Sequence, residues 1–189
     1  MDDRLFTVPM WLIEECQTND PFKIVQRLSK YCGKEIRIKI KYFTANRQKG
    51  FCTNILNNYY ICINDSLSYP MMRMVCGHEL GHILLHPDRL GRDKNGKFKR
   101  LVEWELFDIK DNTEYEANMF LANLIIDTDR LKDLIYEGND IVRIAALMDV
   151  NVNLVALKVA QMKFDGVKVP FIPNKNFLGK IVDDTQNLF

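Results

Sequence analysis

Between Glu35 and Lys41 the chain alternates charge with isoleucine, Glu35-Ile36-Arg37-Ile38-Lys39-Ile40-Lys41. That period of two predicts a strand with one face in water. Phe51 to Leu56 and Tyr59 to Asn64 predict two more strands. Asn57-Asn58 between them suits a tight hairpin, since asparagine tolerates positive φ. Upstream, Trp11, Leu12, Ile24, Val25 and Leu28 predict two helical pieces within Pro9 to Tyr31, broken around Thr18-Asn19-Asp20-Pro21. Asp20 before Pro21 is a start signal for the second piece.

Downstream the period changes from two to that of a helix. One helix is expected from near Ser68-Tyr69-Pro70 to about Leu85, and a second over Glu114 to Leu124 with Ala117, Phe120, Leu121 and Leu124 on its apolar side. Asp111, Asn112 or Thr113 can cap that second helix. Between the two, Gly91 to Asn112 forms a charged connection, either a flap or an ordinary packed link. Within it, Phe98 to Ile109 fits a strand or a short helix, because its two apolar dyads blur the period. Three further helices are predicted: one capped by Thr128-Asp129 and running through Tyr136, then Ile141 to Met148 and Val152 to Phe164. From Asp165, with Pro170, Pro173 and Gly179, the chain reads as an extended arm. The order of elements predicts an α+β fold, a small antiparallel sheet packed against helices.

A length of 189 residues at 47% hydrophobic content permits one sizeable core and a small helical appendage. Lys and Arg number 26 against 25 Asp and Glu, so no global field draws the chain to nucleic acid or to a membrane surface. Residues 141–164 have the outline of a helix-turn-helix. The second of those helices carries only Lys158 and Lys163 among aliphatic residues, which favours packing over DNA reading. No apolar run approaches the ~20 residues of a membrane span, and the acidic start Met1-Asp2-Asp3 does not resemble a secretory signal. Five cysteines, Cys16, Cys32, Cys52, Cys62 and Cys76, form no C-x-x-C pair and suit a reduced, cytoplasmic setting, most of them as small core residues.

The chemistry concentrates in one short run. All three histidines lie in His78-Glu79-Leu80-Gly81-His82-Ile83-Leu84-Leu85-His86, which contains H-E-x-x-H. Residues four apart share a helix face, so His78 and His82 can hold one metal ion, and Glu79 projects beside it as a general base. His86 lies about 12 Å along the axis from His78, too far for the same tetrahedral ion. It belongs instead at the helix end before Pro87, where a cationic imidazole suits the last carbonyls, or in the cleft as a proton donor. Cys76, about 200° around the helix from His78, points away from the clamp.

A third ligand must come from elsewhere, and the second helix offers Glu114 and Glu116 in its first turn. They point about 200° apart, so only one can serve. Glu114 shares its side with Ala117, Asn118 and Leu121, which favours it, and Asn118 is then suited to accept the outer ring N–H of a liganding histidine. Three protein ligands without cysteine describe an open, hydrolytic zinc site rather than a closed structural one.

The pair of motifs H-E-L-G-H-x-x-L-H and E-x-x-A-N-x-F-x-A-x-L resembles the ImmA/IrrE family of metallopeptidases. The likeness runs from Ile61 through Leu124 and more weakly to Phe164. It implies a zincin-like catalytic core of the gluzincin type over residues 1–127, a helical extension packed on it over 128–165 and a tail over 166–189. It also implies Zn2+ held by His78, His82 and Glu114, with Glu79 as the catalytic base. The implied activity is that of a cytoplasmic zinc metalloendopeptidase of bacterial or phage origin that cleaves a helix-turn-helix repressor. Such a partner is a protein, with no direct nucleic acid or membrane contact. The second reading is a regulator that sequesters a repressor without cutting it, around a vestigial metal site. His86, Tyr115 and Tyr136 are candidate proton donors or oxyanion stabilisers. A substrate strand is expected along a sheet edge in Phe51 to Asn64, unless that hairpin's edge is covered. The chain departs from the family's leucine-rich helix ending at Leu124-Ile125-Ile126-Asp127.

Overall fold

A computed structural model describes residues 2–44, 48–92, 98–103 and 112–169. The chain divides into two compact units, Met1–Ile125 and Ile126–Phe189. The fold is α+β as expected, and the sheet is mixed rather than purely antiparallel.

In the first unit, helices α1 (Arg4–Cys16) and α2 (Pro21–Leu28) precede strands β1 (Lys30–Tyr31), β2 (Lys34–Lys41), β3 (Gly50–Ile55) and β4 (Asn58–Asn64). Then come helix α3 (Tyr69–Leu85), strands β5 (Gly91–Arg92) and β6 (Phe98–Glu103), and helix α4 (Asn112–Ile125). The strand order is β1-β2-β4-β3-β6-β5. β2 runs parallel to β4 and the other pairs are antiparallel. β4 is therefore flanked by β2 and β3, and β6 pairs with residues 50–53 of β3. The hairpin over Phe51 to Asn64 is thus interior, and the expectation of a free substrate edge there is corrected: its neighbours already take up its main-chain groups. Phe98 begins a strand, while residues 104–111, the rest of that ambiguous stretch, fall outside the described residues.

Alternation sets the register. Ile36, Tyr59, Ile61 and Ile63 are buried on one face while Arg37, Lys39 and Lys41 face water. Ile55 pairs with Asn58, which leaves Leu56-Asn57 as the two-residue turn, at φ 50 and 64. The expected turn, Asn57-Asn58, lies one residue further on; a turn there would slide the pairing by two residues and set Ile63 rather than Ile61 opposite Cys52.

α1 begins at Arg4, before the Pro9 at which the expected helical region started, because Leu5, Pro9, Leu12 and Cys16 form one buried stripe. Pro9 has no N–H to give the carbonyl four residues back. Asn123 of α4 supplies the missing donor, its Nδ2 donating to the Leu5 carbonyl at 2.9 Å. Asp20 caps α2 as expected, accepting from the N–H groups of Phe22 and Lys23. α3 is buried on every side from Met74 to Leu85, the mark of a central helix. Its last carbonyls are met by Tyr31 Oη at Leu84 (3.3 Å) and Arg4 Nη1 at Leu85 (3.4 Å).

The second unit contains α5 (Thr128–Tyr136), α6 (Ile141–Met148) and α7 (Val152–Phe164), the last two with the expected bounds. Asp127, not Thr128 or Asp129, caps α5 by accepting from the Arg130 N–H, so the departure from the family's helix ending is a cap. Asp149 takes the left-handed C-cap conformation that turns α6 into α7. No helix among the described residues is long and apolar enough to cross a membrane.

Candidate metal centre

The site is built where α3 and α4 cross closely. A Cβ added at Gly81 would stand 2.9 Å from Phe120 Cδ1 and 3.4 Å from the Ala117 Cα, and one at Gly77 would stand 2.6 Å from Leu121 Cδ1. Without those hydrogens-only positions the two helices must separate by the width of a methyl group. The glycine inside H-E-L-G-H and the alanine of E-x-x-A-N therefore face each other, and the histidines of one helix reach the carboxylate of the other.

His78 Nε2 and His82 Nε2 stand 3.0 Å apart. Glu114 Oε2 is 3.2 Å from His78 Nε2, and its Oε1 is 3.4 Å from His82 Nε2. His78 Nδ1 lies 3.0 Å from Asn118 Oδ1. The amide oxygen only accepts, so the ring proton sits on Nδ1 and the Nε2 lone pair turns toward the other two groups. His78, Glu79 and Asn118 are buried, and Glu114 is partly open to solvent.

Electrostatics match that placement. Burial pushes the His82 pKa down to about 4, so its ring is neutral near pH 7 and free to offer a lone pair. Burial alone would raise the Glu114 pKa, but in acid, once the rings are protonated, hydrogen bonds from His78 and His82 and their charge hold it well below the usual carboxylate range. Two imidazoles and a carboxylate converge, the donor set of a hydrolytic zinc site. Donors bound tetrahedrally at 2.0–2.1 Å stand about 3.3–3.4 Å apart, close to the spacing found here. The buried His82 Nδ1 finds no hydrogen-bond partner among the described residues, so the ring is held through Nε2, which faces His78 and Glu114. The residues present fit a zinc ion.

The remaining nominated residues fall elsewhere. His86 is the C-cap of α3, and its Nε2 meets Glu116 Oε2 at 3.3 Å. The expected cationic character is not favoured there: burial lowers its pKa, opposed by Glu116. Glu114 and Glu116 thus both meet α3 histidines, on different turns. Tyr115 is half-buried beside Glu114 on α4, and Tyr136 ends α5 in the second unit, 68% exposed. Cys76 is buried beyond the cluster, which among the described residues comprises His78, His82 and Glu114. Sequence reasoning predicted β3 as a strand but missed that it lies against Glu79. The Cys52 thiol lies beside Glu79, with Glu114 also acting on it, and a Cβ at Gly50 would stand 3.4 Å from Glu79 Oε1. The period-two pattern, which puts residues 50 and 52 on one face, carried the available signal.

Comparison with known proteins agrees with this geometry. The sequence profile of the peptidase M78 family, described as the IrrE N-terminal-like domain, matches residues 33–159. A Bacillus phage phi105 protein, "Uncharacterized immunity region protein 2", is 32% identical over 115 residues, which are 61% of this chain and 63% of that protein. The chain thus spans under two thirds of that relative's length. With the profile covering α3, α4 and strands β2 to β6, the chain belongs to the ImmA/IrrE family of metallopeptidases.

Proposed function

We propose that this chain is a zinc-dependent endopeptidase that cuts a helix-turn-helix repressor at a specific site. The observation that carries the reading is the convergence of His78, His82 and Glu114 on one point, with the buried Glu79 next in sequence to the first of them. His78 and His82 would hold the ion through Nε2 and Glu114 through its carboxylate. Asn118 keeps the His78 ring in the tautomer that presents Nε2. When bound, zinc supplies Lewis acidity, lowering the pKa of a water toward ~7 and polarising the scissile carbonyl. Glu79 takes the proton of the attacking water and returns it to the leaving amine, one group acting as base and then as acid. The protein environment excludes bulk water from Glu79, which strengthens its pull on that proton.

The repressor as target rests on the family and on the immunity-region name of the phage relative. The test is to identify a helix-turn-helix repressor among the products of the adjacent genes, purify it and incubate it with the zinc-loaded chain. Fragments should form, disappear with a chelator, and fall by about 10²–10⁴-fold with Glu79→Gln, which keeps its zinc. A stoichiometric complex without fragments would replace cleavage with sequestration. Wild-type cleavage by Glu79→Gln would remove Glu79 from the base role.

A further inference from the structure

Strand β2 is paired along its length on one side only. Toward β4 the parallel ladder runs from Ile36 to Lys41, and Asp65 beyond it donates to the Lys41 carbonyl. On the other side β1 pairs no further than Glu35, with one more bond from the Ile36 N–H to the Ser29 carbonyl. Alternate residues of a strand turn their main-chain groups to opposite sides, so these two bonds fix the whole pattern. Arg37, Lys39 and Lys41 bond toward β4, and Ile38 and Ile40 present their N–H and C=O groups outward. Among the described residues no strand takes those groups up.

The side chains along this edge are of two kinds. Arg37, Lys39 and Lys41 share one face and are exposed. Glu35 pairs with Arg37 at 2.5 Å, whereas among the described residues Lys39 and Lys41 stand in no ion pair. On the opposite face burial fades along the strand: Ile36 is buried, Ile40 is 48% exposed, and Tyr42, just past the strand end, is 67% exposed.

An open edge invites a further strand, and lysines along it commonly serve to keep one away. They keep away a like-charged one. A second copy of β2 would bring Arg37, Lys39 and Lys41 against the same three cations, with Glu35 the one carboxylate of the strand to offset them, and like charges across a ladder repel. An extended segment that alternates acidic with apolar residues answers the lysines, the outward main-chain groups and the half-covered apolar face together.

We propose that the outer edge of β2, over residues 37–41, docks an acidic extended segment of another protein, added as a further strand with its carboxylates beside Lys39 and Lys41. β4 separates β2 from β3, so this edge is distinct from the metal centre, and the inference stands whether or not the chain is a peptidase.

The probe is a labelled synthetic peptide alternating glutamate with valine, as long as the open edge, titrated into the full-length chain and followed by fluorescence anisotropy. Saturable binding is expected. The same peptide with every main-chain nitrogen methylated keeps its charge but cannot donate to a strand, and it should bind about tenfold more weakly or worse. On the protein side, Ile40→Pro removes an outward N–H without touching the β4 ladder, and Lys39→Glu with Lys41→Glu reverses the charge; each should weaken binding about tenfold. Circular dichroism melts show whether these variants keep the fold, and the methylated peptide decides on the wild-type chain if they do not. Failure of the unmodified peptide to bind overturns the docking edge. Equal binding by the methylated peptide overturns strand addition and leaves only attraction of any polyanion. A single-stranded oligothymidylate of equal charge that binds more tightly than the peptide also overturns the proposal, in favour of nucleic acid.

Discussion

Glu114 and Glu116 stand two residues apart in the first turns of α4, and each meets a histidine of α3, yet they end in different chemistry. Glu114 bridges two rings, His78 at 3.2 Å and His82 at 3.4 Å, at the glycine-lined crossing of the helices. Glu116 meets His86 alone, at 3.3 Å, where α3 ends. Both stations set glutamate against histidine. The difference lies in convergence: three ligand atoms facing one point can hold an ion, whereas a single ring facing a single carboxylate is one polar contact.

The sharpest way to break this comparison is to remove each carboxylate. Glu114→Ala takes away a ligand and should reduce zinc affinity by more than the roughly 10–100-fold that losing a ligand's supporting partner costs. Glu116→Gln should leave zinc affinity within a few-fold of wild type. Competition against a chromophoric chelator measures both. Equal losses would mean that the two stations are one site.

Acidity distinguishes the stations next. The folded chain holds His82 at a pKa of about 4, while the unfolded chain takes up that proton near 6.5. Between those values the unfolded state binds more protons, so stability falls as pH drops from about 6.5 to about 4 and levels off below. The full span corresponds to about 3 kcal/mol at 1.36 kcal/mol per unit. Glu114, held below the ordinary carboxylate value, adds a loss in the same direction at still lower pH. Urea titrations of the metal-free chain at pH 7 and pH 4.5 should show the drop, and saturating zinc, which binds only the folded state, should raise stability at both pH values without flattening the drop. A flat profile would contradict a neutral, buried His82.

Asn118→Ala comes third. It removes the acceptor that holds the His78 proton on Nδ1, and zinc affinity should fall about 10–100-fold with the ligands intact. The substitution separates ring orientation from ligand count. An unchanged affinity would show that the crossing alone orients the ring.

Much of this site was legible because helical spacing converts directly into facing. The i,i+4 histidines, the choice of Glu114 over Glu116 as the residue sharing a side with Asn118, and the bounds of α6 and α7 all follow from that period. Contacts that join elements distant in sequence were not legible. No local pattern says that β2 lies parallel to β4, which closes the edge expected in the hairpin. Nor does one say that Asn123 repairs the carbonyl left open by Pro9, or that Glu116 reaches His86. The turn lies at Leu56-Asn57, one residue before the expected pair, and Asn57 still takes the positive φ that asparagine tolerates.

The smallest effect concerns the second station itself. His86 and Glu116 are 11% and 27% exposed in their side chains, so the pair is neither fully screened nor fully desolvated. Burial lowers the His86 pKa and Glu116 raises it, so the ring gains little charge from its partner near pH 7. Pairs of this kind contribute about 0–1 kcal/mol. Glu116→Gln, which retains an acceptor oxygen, should therefore shift the unfolding free energy by less than about 1 kcal/mol. The double variant with His86→Gln should couple to it by a similarly small amount in a double-mutant cycle. A coupling of several kcal/mol, or a parallel loss of zinc, would mean that this ion pair sets the spacing of α3 and α4 and so governs the first station, a role the structure otherwise gives to Gly77, Gly81 and Ala117.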